Sequence, residues 1–231
     1  MIKQKSTGIN RIWEIDLLRG ILIITMIVLH ALYDLEFFYN VPIGYSTGMV
    51  NIIRVMDATS FILVSGISTS FSRSSFKRGL LVISAALSIT LVSYMFNNDY
   101  FIVFGILHLM GICMISSPLL KKLPAMWLFV ISFILASTNF IIPHINVTNN
   151  YFFMFGLHNS NFASSDYYPL LPWAWAFVFG VALSKLIYKE RKSIFNYTIK
   201  DNPVSFLGRN SLWVYIIHQP VVLLLLSVFM K

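Results

Sequence analysis

Apolar residues run through this chain in stretches of about twenty, divided by short polar connections. Stretches of that length are too continuous for amphipathic helices or alternating strands, and each reads as a membrane-crossing helix. The runs fall at 14–36, 51–71, 78–97, 101–119, 124–142, 168–188 and 207–229. The pattern predicts an all-α, polytopic integral membrane bundle of about seven transmembrane helices, with 1–231 as a single domain. It shows no repeat of fixed period and no low-complexity tract.

The polar connections supply a direction. Those at 72–77, 120–123 and 189–206 hold Arg73, Lys77, Lys121, Lys122, Lys189, Arg191, Lys192 and Lys200, whereas 37–50, 98–100 and 143–167 hold no Lys or Arg. Basic residues therefore alternate between the two sides, which predicts a cytoplasmic N-terminus and an extracytoplasmic C-terminus. The longest connection, 143–167, is polar and aromatic, and reads either as a cover over a ligand site or as a plain connector.

Composition agrees with this picture. The chain is 57% hydrophobic and 11% charged, with mean hydropathy +0.75, which excludes a soluble fold. The formal charge of +8 belongs to the topology signal and does not imply nucleic acid. Lys3, Lys5 and Arg11 before an apolar run resemble a secretory signal, but that run is long, carries Arg19 and His30 and lacks a small-residue cleavage site. It reads as a retained first helix. The single cysteine, Cys113, allows neither a disulfide nor a cysteine-based metal site within one chain.

A charge near the bilayer centre costs about 2.5–3.5 kcal/mol on insertion scales, so ionisable groups inside the spans point to a protein interior or a wet cavity. The informative ones are Arg19, His30, Asp34, Asp57, His108 and His218. Arg19 and His30 are eleven residues apart, which puts them on one stripe of the first helix, separated by about 16 Å along its axis. Asp34, one turn beyond His30, is placed to hold the imidazole's tautomer and stabilise its cation, making this pair the best general-base candidate in the chain. The plain alternative is a histidine bonded to a neighbouring helix and an aspartate at the interface. Asp57 has either His30 or Arg54 as its partner. His108 lies between Gly105 and Gly111, glycines that would let another helix approach, and Pro220 predicts a kink or hydrated gap near His218. Three histidines from three helices could converge, yet no close metal-ligand spacing such as His-x-x-x-His is present, and no metal is expected.

Four blocks carry a family resemblance. They are Arg11-Ile-Trp-Glu-Ile-Asp16-Leu-Leu-Arg19-Gly20, Gly105-Ile-Leu-His108-Leu-Met-Gly111, Asp166-Tyr-Tyr-Pro-Leu-Leu-Pro172-Trp173, and the stretch from Leu207 through Arg209, Asn210 and His218 to Pro220. Together, and in order, they resemble the heparan-α-glucosaminide N-acetyltransferase catalytic domain family in its short bacterial form. The Arg19 to His30 spacing is also similar to the hallmark of type-3 membrane acyltransferases. The resemblance implies transfer of an acyl group, acetyl by expectation, from cytoplasmic acyl-CoA to an extracytoplasmic sugar, polysaccharide or lipid head group. His30, Asp34 and Asp57 become the catalytic candidates. Arg19, His108, Asp166, Trp173, Arg209, Asn210 and His218 become the substrate- or cofactor-binding ones.

Two mechanisms fit: His30 deprotonating the acceptor directly, or a histidine carrying the acyl group. Lysosomal members use a histidine in the first luminal segment, whereas residues 31–107 here contain none. That departure favours His30 as base and leaves glucosamine in doubt as acceptor. Expected partners are the bilayer, acetyl-CoA or another acyl-CoA, and the acceptor, in a bacterial plasma membrane. So short a chain could also need a homo-oligomer or have lost activity. The rival classes are a proton-coupled small-solute transporter and an inactive membrane subunit.

Overall fold

In hydrocarbon every backbone N–H and C=O must find its partner inside the protein, so long apolar runs have no economical choice but helix. A computed structural model describes residues 12–96, 101–189 and 191–230, and the described residues form helices with no named strand. Lys3, Lys5, Arg11 and the connection 98–100 lie outside the described residues. The helices are α1 (Trp13–Tyr39), α2 (Gly48–Phe71), α3 (Ser75–Phe96), α4 (Ile106–Leu120), α5 (Ala125–Ser137), α6 (Leu170–Ile187), α7 (Pro203–Arg209) and α8 (Ser211–Phe229). Two short 3₁₀ turns prolong α5 to His144.

Among the described residues six helices are long and apolar enough to cross a membrane: α1, α2, α3, α5 with its extension, α6 and α8. The chain is an integral membrane protein. The run at 101–119 differs from its predicted form, because its helix begins only at Ile106 and has 15 residues, about 22 Å. Residues 101–105 are extended instead. They pair with the end of the long connection: Ser165 N–H donates to Phe101 O (3.2 Å), Tyr168 N–H to Phe104 O (2.9 Å) and Val103 N–H to Ser164 Oγ (3.1 Å). The run at 207–229 is likewise two helices meeting at Asn210. α7 starts with Asn202 as its cap, accepting from Ser205 N–H at 2.9 Å, and Pro203 in the first turn. α8 then runs unbroken through Pro220.

Packing between helices relies on the absence of side chains. A Cβ on Gly66 would lie 2.2 Å from Phe177 O, and one on Gly180 would lie 2.1 Å from Leu63 O, so α2 and α6 meet backbone to backbone. Gly20 and Gly208 do the same for α1 and α7, each with a carbonyl oxygen 1.9 Å from its would-be Cβ. Small residues of this kind allow the close approach that drives helix association in lipid.

The connections gather at two ends. At the basic end Lys121 Nζ donates to Ser72 O (2.8 Å) and Ser75 Oγ (3.2 Å), Lys185 Nζ to the carbonyls of Lys121 (2.8 Å) and Leu123, and Trp13 Nε1 to Tyr197 O (3.1 Å). At the opposite end the 101–105 and 164–168 segments close over the bundle.

Candidate functional site

The polar residues fall into two groups, one near each end of α1. At the basic end Arg19 lines a cavity of about 990 Å³ between α1, the α2–α3 connection and the start of α8. Arg73, Arg78, Arg191 and Arg209 join it there, with Asp16 as the acidic residue of the lining. Such a surplus of guanidinium groups suits a ligand with several phosphates. Arg19 Nε is buried without a hydrogen-bond partner. Arg209 is engaged by Asp201 through two bonds of 2.6 and 2.8 Å, which raises its pKa further. Asn210 Nδ2 donates to Phe206 O at 2.9 Å and marks the junction of α7 and α8 at the cavity wall.

The second group lies toward the opposite end. His30 on α1 and His218 on α8 meet edge to face, with ring centroids 4.7 Å apart. His30 Nδ1 lies 2.9 Å from Met26 O and His218 Nδ1 lies 2.6 Å from Tyr215 O. A carbonyl only accepts, so each Nδ1 carries a proton, and in the neutral ring the lone pair then sits on Nε2. His218 Nε2 is buried without a partner. Asp34, fully buried, takes two bonds from Gln219 Nε2 at 2.9 and 3.0 Å. This contact ties α1 to α8 one turn away from the two imidazoles.

Asp166 belongs to the same end. Its Oδ2 accepts from Ile106 N–H at 3.1 Å in the first turn of α4, and Tyr215 faces the carboxyl from α8. Burial pushes the Asp166 carboxyl above its usual range, against the opposing pull of His30, the Ile106 N–H and Arg54. A Cβ at Gly105 would come within 2.3 Å of this carboxylate. Gly105 is thus required by Asp166, while Gly111 is the glycine that admits α3, at Ile83.

The other predicted residues divide. Trp173 packs edge to face on Tyr168 at 4.7 Å. Asp57 is buried, its Oδ1 without a partner, and pairs with neither His30 nor Arg54. His108 stands apart from the other histidines. Its Nδ1 accepts from Gly105 N–H (3.2 Å), its Nε2 bonds Thr90 Oγ1 (3.3 Å), and its ring stacks on Phe104. Capping α4 accounts for Nδ1, and the contact with Thr90 on α3 accounts for Nε2. A space of about 10 Å³ between His108, Asp166 and Tyr215 has room for one water. Among the described residues no three His, Cys, Asp or Glu gather as a metal-holding group.

Arg54, expected from sequence only as a partner for Asp57, completes the cluster with Tyr168, Tyr215 and Gln219. Arg54 sits 5.8 Å over the Tyr45 ring and within hydrogen-bonding reach of the Tyr168 hydroxyl. Its signal was available, because it stands alone among 53 intervening positions without another Lys or Arg between Arg19 and Arg73.

Fold and site together define a membrane-embedded helical bundle with an arginine-lined cavity at one end and a histidine–carboxylate–tyrosine cluster toward the other. The family model described as heparan-alpha-glucosaminide N-acetyltransferase, catalytic, matches residues 11–220, and the chain belongs to that family. No curated protein and no solved structure matches it.

Proposed function

We propose that this chain is a transmembrane acyltransferase, working as one domain in a bacterial plasma membrane. It would move an acetyl group from cytoplasmic acetyl-CoA to an extracytoplasmic sugar, polysaccharide or lipid head group. One observation carries the reading: a single unbroken helix, α1, holds Arg19 in the arginine-lined cavity and His30 in the polar cluster. About 16 Å separates the two positions along the axis, a gap that the extended pantetheine arm of coenzyme A is built to cross. The arginines bind and orient the donor's phosphates.

His30 Nε2, with Nδ1 held on Met26 O, takes the proton of the acceptor's hydroxyl or amine as that group attacks the thioester. His218 presents the same free nitrogen beside it. Asp34 acts on the pair from a distance, through Gln219, by fixing α8 against α1. Asp166 and Trp173 lie on the side from which the acceptor arrives.

Purified protein in proteoliposomes, given labelled acetyl-CoA, should transfer label or release coenzyme A. His30→Ala should lower that rate by about 10²- to 10⁴-fold at unchanged expression. Full transfer by that variant removes His30 from the mechanism. Proton-driven solute uptake with no binding of acetyl-CoA would replace the reading with a transporter.

A further inference from the structure

Positions 20–53, 55–72, 79–120, 123–184 and 210–230 contain no Lys or Arg, so Arg54 is a cation isolated from the basic end of the bundle. It sits inside α2 among Ile52, Ile53, Val55 and Met56, all exposed as lipid-facing residues are. A guanidinium there is costly and turns inward. α1 ends at Tyr39 and α2 begins at Gly48, both at the opposite end. At 1.5 Å per residue Arg54 lies about 9 Å from that end, Asp34 about 8 Å and His30 about 14 Å. Arg54 is therefore level with the polar cluster.

Its partners are neutral. Nη2 donates to Asn51 Oδ1 at 2.7 Å, the Tyr168 hydroxyl and the Tyr45 ring lie against it, and Nε is buried with no partner. Asp166 acts on it at longer range. A half-buried cation held by neutral groups, with its buried Nε a donor to spare, is prepared for a negative charge that arrives later. An anionic acceptor would hold its charge against Asp34, Glu36, Asp57 and Asp166 throughout binding, whereas an oxyanion carries its charge only while the reaction passes through it. A charge formed in the reaction itself meets the requirement.

We propose that Arg54 is a further catalytic residue, whose guanidinium stabilises the oxyanion of the tetrahedral intermediate; this rests on the acyltransferase reading above. The acceptor's lone pair forms a bond to the thioester carbon, the carbonyl π pair moves onto oxygen opposite Arg54, and His30 Nε2 takes the acceptor's proton. On collapse the oxygen pair re-forms the carbonyl, the C–S bond breaks, and the departing thiolate takes the proton from His30. Donors preorganised in a dry site are the largest single contribution in many acyl transfers.

The test uses the full chain in lipid nanodiscs with labelled acetyl-CoA and water as acceptor, read as coenzyme A release, alongside label transfer to a membrane extract. Arg54→Gln should lower kcat by about 10²- to 10³-fold, with KM for acetyl-CoA and Tm unchanged. Arg54→Lys keeps the charge without the planar fork and should recover part of the loss. If the glutamine variant does not assemble, the lysine variant decides, since its kcat must still fall below wild type at unchanged Tm. A wild-type kcat in either variant, or a loss that appears only in KM or Tm, overturns the role of Arg54. Wild-type protein that neither releases coenzyme A nor transfers label overturns the acyltransferase reading itself.

Discussion

His30 and His218 show how a backbone can set the tautomer of an imidazole. Each ring spends Nδ1 on a carbonyl of its own helix, three or four residues back, and neither needs a carboxylate to fix its tautomer. The expected Asp34–His30 partnership takes another form, since Asp34 is bonded to Gln219. Spacing placed Asp34 one turn from His30 correctly, but a side chain's choice among neighbours depends on α8, which is remote in sequence. Tyr45 and Tyr167, outside the spans, offer a test of how dry this end is. Burial pushes both phenols up to about 12, from the usual value near 10. Between those values the unfolded chain releases protons that the folded one retains, so stability is intact below about pH 10 and declines toward about pH 12. Tyrosinate absorbance should show a late-ionising class with a midpoint near 12, and Tyr45→Phe with Tyr167→Phe should weaken the alkaline decline in Tm. Ionisation of every tyrosine near 10 would contradict this packing.

Hydropathy located the six long apolar helices to within a few residues, because the need to satisfy backbone groups in lipid is read directly from apolar length. It failed where a backbone finds another partner. Phe101-Ile-Val-Phe104 is as apolar as any helix here, yet it pairs with 164–168, some sixty residues away, and no local window reports such a pairing. The break at Asn210 was hidden for a related reason, since α7 and α8 together present one continuous apolar count. The glycines were more legible as a type than as partners: Gly111 meets another helix as expected, while Gly105 accommodates Asp166. Gly66→Leu and Gly180→Leu must each displace a carbonyl about 2 Å from the new Cβ, and overpacking of this kind costs about 1–3 kcal/mol or more. Either variant should melt well below wild type in detergent, and the double variant should not be additive, because both act on the single α2–α6 contact. A wild-type Tm in both would show that these helices do not meet this closely.

Over the whole molecule, the distribution of charge and that of the proposed functions coincide. The connections that carry the lysines and arginines also build the large cavity, so the bias that orients a chain in a membrane would also set the side on which the proposed anionic donor binds. In the sequence Arg54 stands out only as a partner for Asp57, because cations taken as topology give a lone arginine inside a span no further role. If the basic end faces the cytoplasm, donor access is one-sided. Sealed inside-out vesicles, whose cytoplasmic face is outward, should label their acceptor from acetyl-CoA added to the medium. Right-side-out vesicles should do so only when acetyl-CoA is enclosed, and permeabilising them should abolish the difference. Because several arginines line the donor cavity, KM for acetyl-CoA should rise with ionic strength. Arg19→Ala should raise KM further and flatten that salt dependence while leaving sidedness intact. Labelling of intact right-side-out vesicles from the medium would invert the orientation argued here and place the arginine-lined cavity on the outer face.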